Sequence, residues 1–109
     1  MSPREFLGEL EEMVLLAALR LKDEAYGASI LRELDEEAGR EVPRGSVYVS
    51  LDRLQAKGLI ESRAGAPTGN RRGRVRRMVT VTEEGLELLR RSHRVRRRLL
   101  DGLDEVIES

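Results

Sequence analysis

The chain has 109 residues, of which 20 are basic and 20 acidic, with one histidine, no tryptophan and no cysteine. That length is one domain able to bury a core without covalent staples, and the missing thiols exclude disulfides and any thiolate metal site. The apolar run MVLLAALRL is interrupted by Arg20 and followed by Lys22. It is far shorter than the roughly 20 residues of a membrane span and does not have the layout of a signal peptide. A soluble, cytoplasmic protein with no membrane partner is expected.

Zero net charge hides a sorting of charges. Residues 1–38 hold ten acids and four bases, residues 42–100 hold fifteen bases and five acids, and residues 101–109 hold four acids and no base. Such asymmetry points to an anionic partner for the middle of the chain.

In chain order, EFLGELEEMVLLAALRL repeats Leu7, Leu10, Val14, Ala17 and Leu21 at helical spacing. Its second half is apolar nearly all round, so it is expected to be central and buried. EAYGASILRELDEEAG gives a second helix with the stripe Tyr26, Ile30, Leu34 and Ala38, stopped by Gly39. A third helix is expected over about 43–57. Pro43 suits a first turn, the stripe is Val47, Leu51 and Leu54, and Gly58 is the stop. The face opposite that stripe carries Ser46, Val49, Ser50, Arg53 and Ala56. Small residues there let another backbone approach.

The period then changes to two. LIESRA (59–64) and RVRRMVTV (74–81) are strand-like, and the segment between them is rich in glycine and holds Pro67. TGNRRGRVRR, residues 68–77, puts five arginines into ten positions. Thr82, followed by Glu83 and Glu84, is a strong helix start. That last helix is expected to run unbroken to about Ile107, with Leu86, Leu89, Val95, Leu99, Leu103 and Val106 as its stripe. Too little of an 80-residue body remains to cover it, so a second subunit is expected to do so.

This order, three helices, strand, basic loop, strand, helix, is mainly α with a small β-hairpin. It is expected to be a winged helix-turn-helix plus a C-terminal dimerisation helix, divided at 1–81 and 82–109. His93, the single histidine, makes neither a metal site nor a catalytic triad with its surroundings. No enzyme activity and no tightly bound cofactor are expected.

Three stretches carry a family resemblance: LGELEEMVLLAALRLKDEAYGASILREL, GSVYVSLDRLQAKGLIES and GRVRRMVTVTEEG. The chain resembles the PadR family of bacterial transcriptional regulators, in its short form with a single C-terminal helix. The resemblance implies a homodimer that binds double-stranded operator DNA and acts as a repressor, with a small-molecule effector in some members. It implies that helix 43–57 reads the major groove and that wing 65–74 lies on the adjacent groove or backbone.

It places Tyr26, Gly45, Ser46, Tyr48 and Arg53 at DNA, with Asn70, Arg71, Arg72 and Arg74 on the wing. Arg44, Val49 and Ser50 join them on the third helix. The dimerisation set is Phe6, Leu10, Leu89, Val95, Leu99, Leu103 and Val106. The family's frequent proline-threonine after the tyrosine is Val49 and Ser50 here, and the strand after the wing lacks its usual aromatics. An RNA-binding winged helix and a protein-interaction adaptor are the alternatives from other classes. The arginine run 90–98 is expected to be a solvated face of the dimer helix, able to pair with the acidic first helix of the partner (Glu5, Glu9, Glu11 and Glu12), with DNA contact as the alternative.

Overall fold

The computed structural model describes residues 7–39, 41–67 and 75–108. Phe6, Asn70, Arg71, Arg72 and Arg74 lie outside the described residues. The elements are α1 (Glu9–Leu21), α2 (Gly27–Ala38), α3 (Arg44–Ala56), β1 (Ile60–Pro67), β2 (Val75–Val81), α4 (Glu83–Leu100) and α5 (Asp104–Glu108), with a 3-10 turn at Lys22–Glu24. No helix among the described residues is long and apolar enough to cross a membrane.

Helix α1 starts where Glu9, Glu11 and Glu12 meet the positive end of the helix dipole. Its Val14, Leu15, Ala17 and Ala18 are buried at the centre, against Ile30 and Leu34 of α2 and Val47, Leu51 and Leu54 of α3. The burial is one-sided: Leu16 is 46% exposed and Leu19 also faces outward. The expectation that this half of α1 is covered all round is therefore corrected for the protomer. Arg20 clasps α2 through Glu33 and Glu37. The hydrogen bond to Glu33, then the charges of Glu33 and Glu37, hold its guanidinium pKa above the ordinary value.

Tyr26 precedes α2 as its N-cap instead of belonging to the core stripe, and Ala38 is exposed at the other end. The backbone N–H of Tyr26 donates to Ser29 Oγ at 2.9 Å, satisfying a donor at the helix start. Gly39 closes α2 with φ +66. Helix α3 begins directly after Pro43 and ends before Gly58, whose φ of +76 needs glycine.

β1 and β2 pair antiparallel, with Ile60 opposite Val81 and Ala64 opposite Arg77, and a register shift between Ala64 and Pro67. β2 also has a second neighbour. Tyr26 bridges Met78, and the Val79 N–H donates to the Ala25 carbonyl at 2.9 Å. The hairpin is thereby fixed to the start of α2 as well as to α3.

Thr82 seats α4 on the α3–β1 junction. Its N–H donates to the Leu59 carbonyl (3.0 Å), its hydroxyl donates to the Gly58 carbonyl (2.7 Å), and its Oγ1 accepts from the Gly85 N–H (3.1 Å). The first half of α4 belongs to the body, with Leu89 buried in the common core. Leu89 is thus a core residue of the protomer that also lines a recess between α1 and α4; Leu10 is half-buried against the same core. Beyond Val95 every described side chain of the chain is exposed.

The expected unbroken helix to Ile107 is corrected: α4 stops at Leu100, and α5 begins at Asp104 after a turn in which Gly102 has φ +83. A left-handed glycine at this place is the ordinary way to end a helix.

The seat of α4 requires Gly85. A Cβ there would lie 2.3 Å from the Leu59 carbonyl oxygen, whereas a Cβ on Gly45 would meet nothing within 4 Å. Urea unfolding should show Gly85→Ala losing about 2–3 kcal/mol. Gly45→Ala should stay within about 1 kcal/mol of the parent, on the stable side. Equal effects of the two would contradict this packing.

Candidate nucleic-acid interface

Helix α3 divides its surface sharply. At about 100° per residue, Val47, Ser50, Leu51 and Leu54 share one arc, and all four are buried. Ser50, expected to be outward, is 5% exposed. The correction follows from the arc itself, since position 50 falls beside 47 and 54. Arg44, Gly45, Tyr48, Val49, Asp52, Arg53 and Ala56 are exposed, and Ser46 lies between the two faces.

The outward face is shallow and its backbone approachable, because its middle is Gly45, Val49 and Ala56. It borders an open groove of about 560 Å³ between α3 and the start of α1, lined by Gly8, Leu10, Glu11, Pro43, Ser46 and Arg53 among others. The guanidinium of Arg53 has no ion-pair partner among the described residues. The neighbouring Asp52 is engaged by Arg77.

Three contacts hold this face at its angle. Lys57, which caps α3, donates to both carboxylate oxygens of the buried Glu11 at 3.2 Å. Glu11 also accepts from the Gly8 N–H at 3.3 Å. Tyr48 lies against the first turn of α2: a Cβ on Gly27 would come within 2.6 Å of its ring and hydroxyl. Arg77 Nη1 donates to Asp52 at 3.0 Å and Nη2 to Gln55 at 2.6 Å.

On the wing the two described arginines of β2 separate. Arg76 stacks on the Tyr26 ring, 4.4 Å from its centroid, a favourable cation–π distance. Arg77 turns to the other face and reaches α3. Strand alternation puts these two side chains on opposite faces, and the acid that takes Arg77 is Asp52.

Part of the arginine run on α4 is paired within its own chain. Arg90 pairs with Glu87 (3.2 Å) and lies 3.7 Å from Glu83. Arg94 lies 3.9 Å from Glu87. Arg96 pairs with Glu12 at 3.1 Å, and Ser92 donates to the same carboxylate at 2.8 Å. The expected pairing with the first helix is therefore found in cis for Glu12. Glu11, another expected partner, is taken by Lys57.

The sequence profile of the Transcriptional regulator PadR-like family matches residues 15–91, more than half of the chain. The chain belongs to the PadR-like family of transcriptional regulators. Solved structures agree in fold. A PadR family regulator from Eggerthella lenta is 27% identical with a TM-score of 0.68, over 93% of this chain and 88% of that one. A PadR-like regulator from Bacillus cereus is 23% identical with a TM-score of 0.71, over 92% of each chain. Bacillus subtilis PadR, solved in complex with operator DNA, is 24% identical with a TM-score of 0.61, over 75% of this chain and 45% of that one. No curated protein matches the chain. Membership in the family makes the chain a PadR-like transcriptional regulator with a winged-helix fold.

Sequence reasoning missed the seat of Tyr48. The available signal was Gly27, a glycine at the first turn of a helix where no cap or turn requires one. With two tyrosines and no tryptophan, tyrosine fluorescence reports on the site directly. Gly27→Ala should change that emission by displacing the Tyr48 ring, and the same substitution in a Tyr48→Phe background should leave it unchanged. An unaltered spectrum in the first case would show that Tyr48 does not lie against α2 in solution.

Proposed function

We propose that this PadR-like regulator is a homodimeric repressor that works in the cytoplasm by binding a two-fold operator in double-stranded DNA. The observation that carries the reading is the outward face of α3, small in the middle and carrying at Arg53 a guanidinium with no ion-pair partner among the described residues. A face of that shape fits the major groove, where Arg53 can take a guanine edge or a phosphate. Arg44, Gly45, Ser46, Tyr48 and Val49 are its remaining contact positions. Ser50, being buried, acts by packing. The wing 65–74, with Asn70, Arg71, Arg72 and Arg74, lies on the adjacent groove or backbone. The Bacillus subtilis neighbour, solved on operator DNA, supports the same use of the fold. Tyr26 serves through its contacts with Arg76 and β2.

Dimerisation has its own support. Leu99, Leu100, Leu103, Val106 and Ile107 all face outward on α4, α5 and the turn between them. On the body, a recess of about 270 Å³ between α1 and α4 is lined by Leu16, Leu19, Leu86 and Leu89 and rimmed by Arg90 and Arg96. An apolar projection and an apolar recess on one chain suit a reciprocal two-fold interface, and the acids of α5 suit the basic rim. Residues 82–109 then form the dimerisation element and 1–81 the DNA-binding part.

Two measurements test the reading. Fluorescence anisotropy would use duplex from upstream of the protein's own coding sequence, with a scrambled duplex beside it, across a salt series. The native duplex should bind more tightly. The slope of log affinity on log salt should be about −5 for six phosphates, and about 2–3 shallower when Arg71, Arg72 and Arg74 become alanine. Binding to neither duplex at low salt overturns the reading. In light scattering, the parent should run at twice the chain mass, and Leu99→Asp with Leu103→Asp should run as a monomer with weakened operator binding; a monomeric parent removes the dimer.

A further inference from the structure

We propose that Arg77 is a positioning residue, which locks the wing to the recognition helix and is itself withheld from DNA. The proposal rests on the reading of α3 as the recognition helix.

One side chain here ties three elements. From β2, Arg77 donates through Nε to Ser62 Oγ on β1 at 2.9 Å, through Nη1 to Asp52 Oδ1 at 3.0 Å and through Nη2 to Gln55 Oε1 at 2.6 Å. Ser62 in turn donates its hydroxyl proton to Gln55 Oε1. The ring closes consistently: Ser62 Oγ accepts from Arg77 and donates to Gln55, and Gln55 uses its carbonyl oxygen for both donors. Asp52 and Gln55 are three apart on α3, so they present adjacent acceptors on one flank of the helix. Ser62 lies opposite Val79, and Ala64 opposite Arg77. Arg77 and Ser62 are therefore diagonal neighbours on one face of the hairpin, the face whose Val79 is buried in the core.

This use of all three guanidinium nitrogens separates Arg77 from the other arginines near α3. Arg53 lies on the open face with no ion-pair partner among the described residues, and Arg76 stacks on Tyr26 on the other side of the sheet. A planar fork can meet Ser62, Asp52 and Gln55 together; a lysine ammonium is a point charge and cannot. An exposed ion pair adds little to stability. The network instead fixes the angle between the wing strands and α3. That spares the protein the ordering of the wing when both elements engage one duplex.

The test is operator anisotropy over a salt series with Arg77→Ala, Arg77→Lys, Asp52→Asn and the Arg77→Ala/Asp52→Asn double variant, each with a thermal melt. The expected result is that Ala and Lys weaken binding alike, about five- to tenfold, with the salt slope unchanged and the melting temperature nearly so. Asp52→Asn should weaken binding in the parent and not in the Arg77→Ala background, although it removes an acid from beside the DNA. If Arg77 were a phosphate ligand, Ala would flatten the slope by about 0.9, Lys would keep most of the affinity, and the two sites would be additive. That outcome, or parental binding by Arg77→Ala, overturns the proposal. Arg77→Lys keeps the charge and stem, so it decides the matter if the alanine variant does not fold. Absence of duplex binding by the parent sinks the operator reading instead. The clamp is then judged by the Arg77 Nε–H signal in 15N NMR: slow exchange that Asp52→Asn abolishes supports it, and fast exchange in the parent removes it.

Discussion

The packing of α3 against α1 is the constraint from which the rest of the structure follows. Val47, Leu51 and Leu54, with Ser50 between them, give one arc of the helix to the core. Burying each of those apolar side chains contributes about 1.5–3 kcal/mol before the cost of ordering is counted. The same commitment frees the opposite arc. A helix can offer a face to another molecule at a defined angle only if its own core face cannot roll, and α3 is kept from rolling at both ends. Pro43 leads into its first turn, and Lys57 at its far end is tied to the buried Glu11. Gly58 and Leu59, directly after it, form the seat of Thr82. The start of α4, the hairpin and the end of α3 therefore share one anchorage.

Electrostatics then divides the arginines by what surrounds them. Arg90, Arg94 and Arg96 of α4 meet acids of their own helix or of α1, so part of a run that looks like a nucleic-acid patch is a set of intrachain pairs. Arg76 and Arg77 are absorbed by an aromatic ring and by a polar network. Arg53 is left facing outward, with a groove beside it. The local charge imbalance of the sequence is real, but its meaning depends on which bases find partners at home.

Much of this was legible in the chain itself. The helices came from periodicity and from strong stops at Gly39 and Gly58, and the strands from the change of period after Leu59. The family followed from GSVYVSLDRLQAKGLIES and its companions. What escaped depends on contacts between segments distant in sequence. Ser50 looks solvent-facing because it is polar, yet its angular position puts it inside the apolar arc. Leu89 fits a stripe for a partner and also the core beneath it, and only the docking of α4 on Thr82 decides between them. Tyr26 has the spacing of a core residue but stands before the helix, drawn out by its pairing with Met78. Glu61, on the neighbouring strand, is the obvious acid for an arginine on β2, and only the face of the hairpin shows that Asp52 takes it.

The break at Gly102 has a consequence for the behaviour of residues 104–108. It detaches five residues as α5, and a helix that short cannot hold itself together in water. All of its described side chains are exposed on the protomer. A surface outside the protomer would lend it order. In a dimer, α5 would fold only as the subunits meet. Residues 104–108 would then act as a gauge of the protein's own concentration, winding up when copies are plentiful and unwinding when they are scarce.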